Sequence, residues 1–295
     1  MAKNRPYLFH LLAIATVTIW GTTFVSTKTL ISDGLTPTEI FVYRFLLAYV
    51  CILFVAYGKL FSNSWFDEAK MMAAGITGGS LYFITENTAL GLTQASNVAM
   101  LISVTPLITT LIGLALFKSE RTHNPGRIVI GSLVALAGVT AIIYNGNVVM
   151  QFNPKGDLLT FAAAMSWAVY SLLVKNLSKR YSVTFISRKV FGYGLLSMAV
   201  WIPAFHPTAF NFHLLADTEV AANLLFLGIV ASMLCFTAWN AVVARIGMVK
   251  ASNYINLNPI VTFISAYFIL GERITPTALA GALAVIFGVY LAERK

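Results

Sequence analysis

Apolar runs long enough to cross a lipid bilayer recur along this sequence, and no other feature restricts its fold as strongly. A spanning helix needs about 20 mostly apolar residues. Ten such runs are expected, near residues 8–31, 36–58, 69–91, 95–117, 126–144, 156–178, 184–204, 220–245, 249–270 and 276–292. Backbone polar groups inside a bilayer must be satisfied within the protein, so runs of this length read as helices. Of the 295 residues 58% are hydrophobic and 11% charged, which excludes an ordinary soluble domain. The expected class is therefore an all-α integral membrane protein. The first run follows Lys3 and Arg5 as a signal peptide would, but it is too long and lacks a small-residue cleavage site, so it reads as a retained anchor.

Local signals mark several helix starts. "TPTE" at Thr36–Glu39 combines a capping threonine, proline in the first turn and glutamate three residues after the cap, which accounts for Glu39 without a functional role. "NPG" at Asn124 and "TPT" at Thr275 repeat the cap-then-proline device. Pro106 and Pro259 fall deep inside expected helices and read as hinges. The charges then set an orientation. With the N-terminus in the cytoplasm, the inner ends receive Lys3, Arg5, Lys59, Lys70, Lys118, Arg121, Arg127, Lys179, Arg180, Arg188, Lys189, Arg245, Lys250, Arg294 and Lys295, and the outer ends only Lys155 and Arg273. That asymmetry implies both termini inside and explains the net charge of +9 as topology, with no nucleic-acid partner.

The halves of the chain resemble each other. "IWGTTFVSTKTL" from Ile19 aligns with "SWAVYSLLVKNL" from Ser166, and "NTALGLTQASNVAMLISVTPLIT" from Asn87 aligns without a gap with "NAVVARIGMVKASNYINLNPIVT" from Asn240. "SER" ending at Arg121 corresponds to "GER" ending at Arg273, and "GSLVALAG" from Gly131 to "GALAVIFG" from Gly281. Five helices per half is an odd number, so the second half must be inverted, an arrangement characteristic of secondary transporters. The repeats are assigned to residues 1–146 and 147–295. Gly131, Ala135 and Gly138, mirrored by Gly281 and Gly288, form a small-residue stripe suited to close helix packing.

Five-helix halves, a tryptophan in the first helix of each, a proline in each fourth helix and the terminal "GER" resemble the EamA-type transporters of the drug/metabolite transporter superfamily, over nearly the whole chain. Within it, the sequence most resembles the YddG-type exporters of aromatic and other neutral amino acids. The resemblance implies ten helices in a basket around a central cavity formed by both halves, in a bacterial inner membrane.

Polar and aromatic residues within the runs are the candidates for that cavity. Trp20 and Thr23 share a face of the first run with Thr16 and Thr27; Trp20 and Trp167 serve either as packing or as walls for a substrate side chain. In the third run Gly75, Gly79, Tyr82 and Glu86 share a stripe, with Asn87 about 100° around the helix. An intramembrane acid is expensive and marks a functional site by default. Glu86 has no acidic counterpart, since Trp239 occupies its place in the second half, whereas Asn87 corresponds to Asn240. Its ligand is open among a substrate amino group, a proton and Arg44. Met100, Tyr254, Asn256 and Asn258 complete the candidate set; the amide-rich "SNYINLNP" either satisfies a kinked backbone or lines the cavity. Lys28 and Lys175 read as snorkelling to the interfaces.

No nucleophile elbow, zinc-protease helix or phosphate loop is present, so the chain is not read as an enzyme, and no cofactor is implied. Cys51 and Cys235, and His206 and His213, have no metal-binding spacing. The expected function is gradient-driven export of small amphiphilic metabolites, foremost aromatic and other neutral amino acids, with the bilayer and a small-molecule substrate as partners and protons as an optional coupling ion. Exchange of organic phosphates or nucleotide sugars is the alternative, disfavoured by the few cations within the runs. Proton-coupled drug efflux is another, disfavoured because the first helix carries no acid.

Overall fold

The fold is built from helices with apolar outer faces around a core of mostly apolar side chains that also encloses polar ones. The computed structural model describes residues 6–93, 95–116, 125–144, 153–205, 210–270 and 276–293. Lys3, Arg5, Lys118, the "SER" and "GER" tripeptides, the capping positions Asn124 and Thr275, His206, Arg294, Lys295 and the side chain of Met100 lie outside them.

Helix α1 (Pro6–Ser32) is followed by α2 (Pro37–Val55) and α3 (Trp65–Gly75), which runs through a π-helical turn (Ile76–Ser80) into α4 (Leu81–Leu92). Next come α5 (Ala95–Ile102), α6 (Thr105–Leu116), α7 (Pro125–Tyr144), α8 (Pro154–Leu177) and α9 (Val183–Phe205). α10 (Thr218–Leu225) passes through a longer π segment (Phe226–Leu234) into α11 (Cys235–Ile246), and α12 (Met248–Asn253) continues through a 3₁₀ turn (Tyr254–Leu257) into α13 (Asn258–Leu270). α14 (Pro276–Glu293) ends the fold. Among the described residues there is no strand. Four helical stretches, 7–32, 37–55, 154–177 and 218–246, are long and apolar enough to cross a bilayer, and 126–141 and 279–292 are shorter apolar helices.

The caps follow the sequence. Thr36 and Glu39 form a reciprocal capping box on α2, Asn153 caps α8 ahead of Pro154, and Asp217 caps α10. Lys28 bonds the end of another helix. Its Nζ donates to the carbonyls of Leu90 at 2.5 Å and Thr93 at 3.1 Å, closing the C-terminus of α4, where orphan carbonyls and the helix dipole favour a cation.

The prolines reveal a difference. Pro106 and Pro259 do not sit within continuous helices. α5 stops at Ile102 and α6 restarts at Thr105, while a 3₁₀ turn precedes α13 at Asn258. Each proline occupies the first turn of a new helix, where its missing N–H leaves no bond unmade. The chain is broken where a kink is expected.

Apolar side chains cover the outside as well as the core, and several polar ones are buried. Leu11, Phe54, Leu133, Val200 and Phe268 are exposed, whereas Arg44, Glu86, Asn87, Asn240, Asn253 and Asn256 are buried. Outer faces of this kind match lipid, and polar side chains turned inward are those a bilayer would reject. α7 and α14 meet along their small residues: a Cβ at Gly131 would lie 2.6 Å from the Gly288 carbonyl oxygen, and one at Gly138 equally close to that of Gly281. At the opposite extreme of scale, Trp20, Trp167, Trp239, Phe236, Phe83 and Phe45 form a central aromatic cluster.

A candidate substrate cavity

The cavity at the centre of this cluster is built from helices distant in sequence. From α1 it takes Trp20, Thr23 and Phe24; from α2, Arg44; from α4, Tyr82, Phe83 and Glu86. α8 and α11 contribute Trp167 and Phe236, and the two helix breaks contribute Ile102 and Thr105 on one side and Ile255 and Asn258 on the other. The residues at the breaks correspond pairwise in the alignment of the halves, Ile102 with Ile255 and Thr105 with Asn258. Extending the same alignment a few residues towards the N-terminus pairs Phe83 with Phe236.

The π segments supply anchoring points for this wall. A π turn leaves carbonyls displaced from the usual helical ladder. The indole Nε1 of Trp20 donates to Ala231 O at 2.9 Å, and Ser166, beside Trp167, donates to Thr77 O at 2.6 Å. α1 is thus tied to one π segment and α8 to the other. Trp20 and Trp167 meet edge to face with ring centroids 5.2 Å apart, and Tyr82 packs on Trp167 at 5.0 Å. Such aromatic pairs contribute about 0.5–1.5 kcal/mol beyond their buried area.

Two charged groups face this aromatic space. Glu86 accepts a 2.8 Å hydrogen bond from the hydroxyl of Tyr82 one turn earlier. Arg44, only 2% exposed, donates from Nε to Ser232 in the second π segment and lies 4.1 Å above the centre of the Phe83 ring. Cation–π contact and one neutral partner hold the guanidinium in place. Among the described residues, no carboxylate comes within 4 Å of it. Arg44 and Glu86 therefore share a cavity without forming a contact ion pair. Trp167 Nε1, Thr105 Oγ1 and Asn258 Oδ1 also line it, are buried and have no hydrogen-bond partner. Each such unmade bond costs about 1–3 kcal/mol unless a ligand or water meets it. The space open to the centre of a water-sized sphere is about 30 Å³. That suits roughly two waters, at ~10–15 Å³ each.

The model of the EamA-like transporter family matches residues 8–144 and again 154–293. The chain belongs to the EamA-like transporter family. It is accordingly a transporter, not an enzyme: a multi-pass membrane protein of the drug/metabolite transporter superfamily that handles a small-molecule substrate. An uncharacterised transporter of Archaeoglobus fulgidus is 28% identical over 97% of each chain. A protein of Streptantibioticus cattleyicolor named a probable terminal-alkyne amino-acid exporter is 26% identical over 96% of this chain and 92% of its own. One crystal structure superposes with a TM-score of 0.73 at 18% identity, covering 96% of each chain, a likeness of fold.

In this EamA transporter the expected site residues separate into two groups. Trp20, Thr23, Tyr82, Glu86, Trp167, Asn258 and Arg44 meet at the cavity. Trp239 stands behind it, packed on Trp20 at 5.1 Å. Asn87 donates to Pro37 O, and Asn240 accepts from Tyr170 at 2.6 Å and donates to Ser187 at 2.9 Å, so these amides tie helices together. Tyr254 bonds His10 at 2.7 Å, and Asn256, buried with an unpartnered Oδ1, is not on the wall. Phe24, Phe83 and Phe236 are wall residues that sequence reasoning missed, although the two-half alignment could have singled out the last two. Ile102 and Ile255 were read as the carbonyls freed by the prolines, and Thr105 either as a partner for that backbone or as a polar group of the cavity.

Proposed function

We propose that this protein is a secondary transporter exporting neutral amino acids, aromatic ones among them, across the cytoplasmic membrane by alternating access. Ten spans in two inverted five-helix halves, residues 1–146 and 147–295, would surround the cavity, with both termini inside the cell. Support for the halves comes from the two successive family matches and from the pairwise contributions of Phe83 and Phe236, Ile102 and Ile255, and Thr105 and Asn258 to one wall. Discontinuous helices at a midplane site are a recurrent transporter feature. Lys59, Arg180, Arg188 and Lys189 gather at one end, which supports placing that end in the cytoplasm.

One observation carries the substrate class: a carboxylate and a guanidinium face the same aromatic cavity without touching each other. A zwitterion fits that charge pattern. Its ammonium would meet Glu86, its carboxylate Arg44, and its side chain the faces of Trp20, Trp167, Phe83 and Phe236. Unpaired donors and acceptors at Trp167, Thr105 and Asn258 would complete the contacts. A phosphate ester would instead need several cations, and Arg44 is the one cation on this wall. The cavity is too small for phenylalanine as it stands, so binding requires the helices to move apart. The relative named an amino-acid exporter agrees with this cargo.

The test is counterflow of labelled phenylalanine, tryptophan and leucine into proteoliposomes, with and without a pH gradient. Saturable flux competed by unlabelled neutral amino acids is expected. Flux of phosphorylated sugars or organic cations, with none of amino acids, would overturn the assignment, and dependence on the gradient would add protons as the coupling ion.

A further inference from the structure

The basic end of the molecule contains a second built site. A recess of about 440 Å³, open to water-sized spheres, lies between the segment after α2 and the first turn of α9. Its wall carries three cations, Lys59, Arg180 and Arg188, and no acid. Ser182 and Thr184 add hydroxyls, and the N-terminus of α9 opens onto it with the positive end of its dipole. Arg188 braces this wall by donating to the carbonyls of Ala56 and Lys59. Arg180 is anchored to Asp67 at 3.1 Å yet remains 66% exposed, and Lys59 bonds the neutral amide of Asn63 and lies over the Tyr181 ring.

A groove of about 320 Å³ continues from the recess along α2 and α9, with Arg188 common to both. Its sides are mainly apolar: Leu60, Phe61 and Leu196, each more than half exposed, face Tyr49 across Gly192. A Cβ at Gly192 would approach the Tyr49 ring to 3.2 Å, so the glycine keeps the floor of the groove low. Lys189, also on the groove, is neutralised by Glu68.

A cationic recess opening into an exposed apolar furrow matches one ligand chemistry. We propose that this is a binding site for an anionic phospholipid, its phosphate held by Lys59, Arg180 and the α9 N-terminus and one acyl chain lying over Gly192 against Tyr49 and Leu196. Basic pockets at membrane level bind anionic headgroups, and the furrow distinguishes a lipid from free phosphate. The site is remote from the central cavity and does not depend on which substrate is carried.

Native mass spectrometry of the purified full chain, titrated with phosphatidylglycerol, phosphatidylcholine or inorganic phosphate, tests it. Phosphatidylglycerol adducts should persist at activation energies that strip phosphatidylcholine. Lys59→Ala should weaken phosphatidylglycerol binding about five-fold, the typical contribution of one surface cation. Leu196→Trp, which fills the furrow and leaves the cations intact, should weaken it as well. Both variants should keep the parent's melting temperature in phosphatidylcholine, which separates lost binding from lost folding. Equal retention of both lipids, full competition by inorganic phosphate, or unchanged binding in both variants would overturn the proposal.

Discussion

Arg44 illustrates how much a single side chain can settle. Its charge is legible in the sequence; its setting is not. From the sequence it either snorkels to an interface or pairs with a carboxylate or a helix end, an ion pair being preferred because a buried cation needs a partner. The structure holds it with Ser232 and the face of Phe83 instead, which leaves the guanidinium available to the cavity. Lysine keeps the charge but not the planar fork. Arg44→Lys should therefore raise KM for a neutral amino acid roughly ten-fold, the equivalent of one charged hydrogen bond, with kcat little changed, in proteoliposome counterflow. Trp20→Phe keeps an aromatic wall and removes the indole bond to Ala231. About 1 kcal/mol of stability should be lost, read as a lower Tm, whereas substrate affinity should fall less than in Trp20→Ala. The tryptophans could be found from sequence because they are rare and recur at matching positions. Phe83 and Phe236 also recur at matching positions, but in a chain with 21 phenylalanines only the alignment of the halves distinguishes them.

Helices were legible wherever a property belongs to one segment. Of the ten apolar runs, four appear among the described residues as helices long and apolar enough to span. The capping box at Thr36 and Glu39 is local, and the structure has it where it was expected. The π segments were not, because a π turn is stabilised by groups on another helix, here Trp20 and Ser166. The glycines around the first of them gave a partial signal. A Cβ at Gly78 would lie 2.3 Å from the Tyr170 ring, which packs directly on the helix. Gly78→Ala should therefore destabilise the protein by ~1–3 kcal/mol through overpacking, measured as a drop in Tm, and a larger residue there should abolish recovery of folded protein. Pro106 and Pro259 announced disturbed helices, but whether a proline kinks a helix or begins a new one depends on what the neighbouring helices bring to the break.

At the scale of the whole molecule, the basic end is fastened by contacts that join α3 to α9 and to the turn between α8 and α9. Asp67 accepts from Tyr181 at 2.9 Å and pairs with Arg180, and Glu68 pairs with Lys189 and Tyr193. Asp67 precedes the expected span. The Tyr181 hydrogen bond, opposed by burial and reinforced by Arg180, holds its carboxyl below the ordinary 3.8. A carboxyl depressed by folding adds stability above its unfolded pKa, and that contribution fades as pH falls through the folded value. Asp67→Asn should lower Tm at pH 7, and the two proteins should converge as pH falls through the depressed value of the folded carboxyl. Such long-range fastening leaves no sequence signature beyond the charges themselves, whereas the family and the apolar architecture were readable from end to end.

The glycine seam between α7 and α14 has a mechanical consequence. Backbones that meet at the distance seen between Gly131 and Gly288 cannot slide past each other without collision. If the two proposed halves rock around the cavity, this pair must act as the stator, the part that stays still while the rest turns about it. Spin labels on the exposed faces at Leu133 and Leu283 should then report one unchanged separation with and without saturating amino acid, while labels across the basic end, on α2 and α9, should report two.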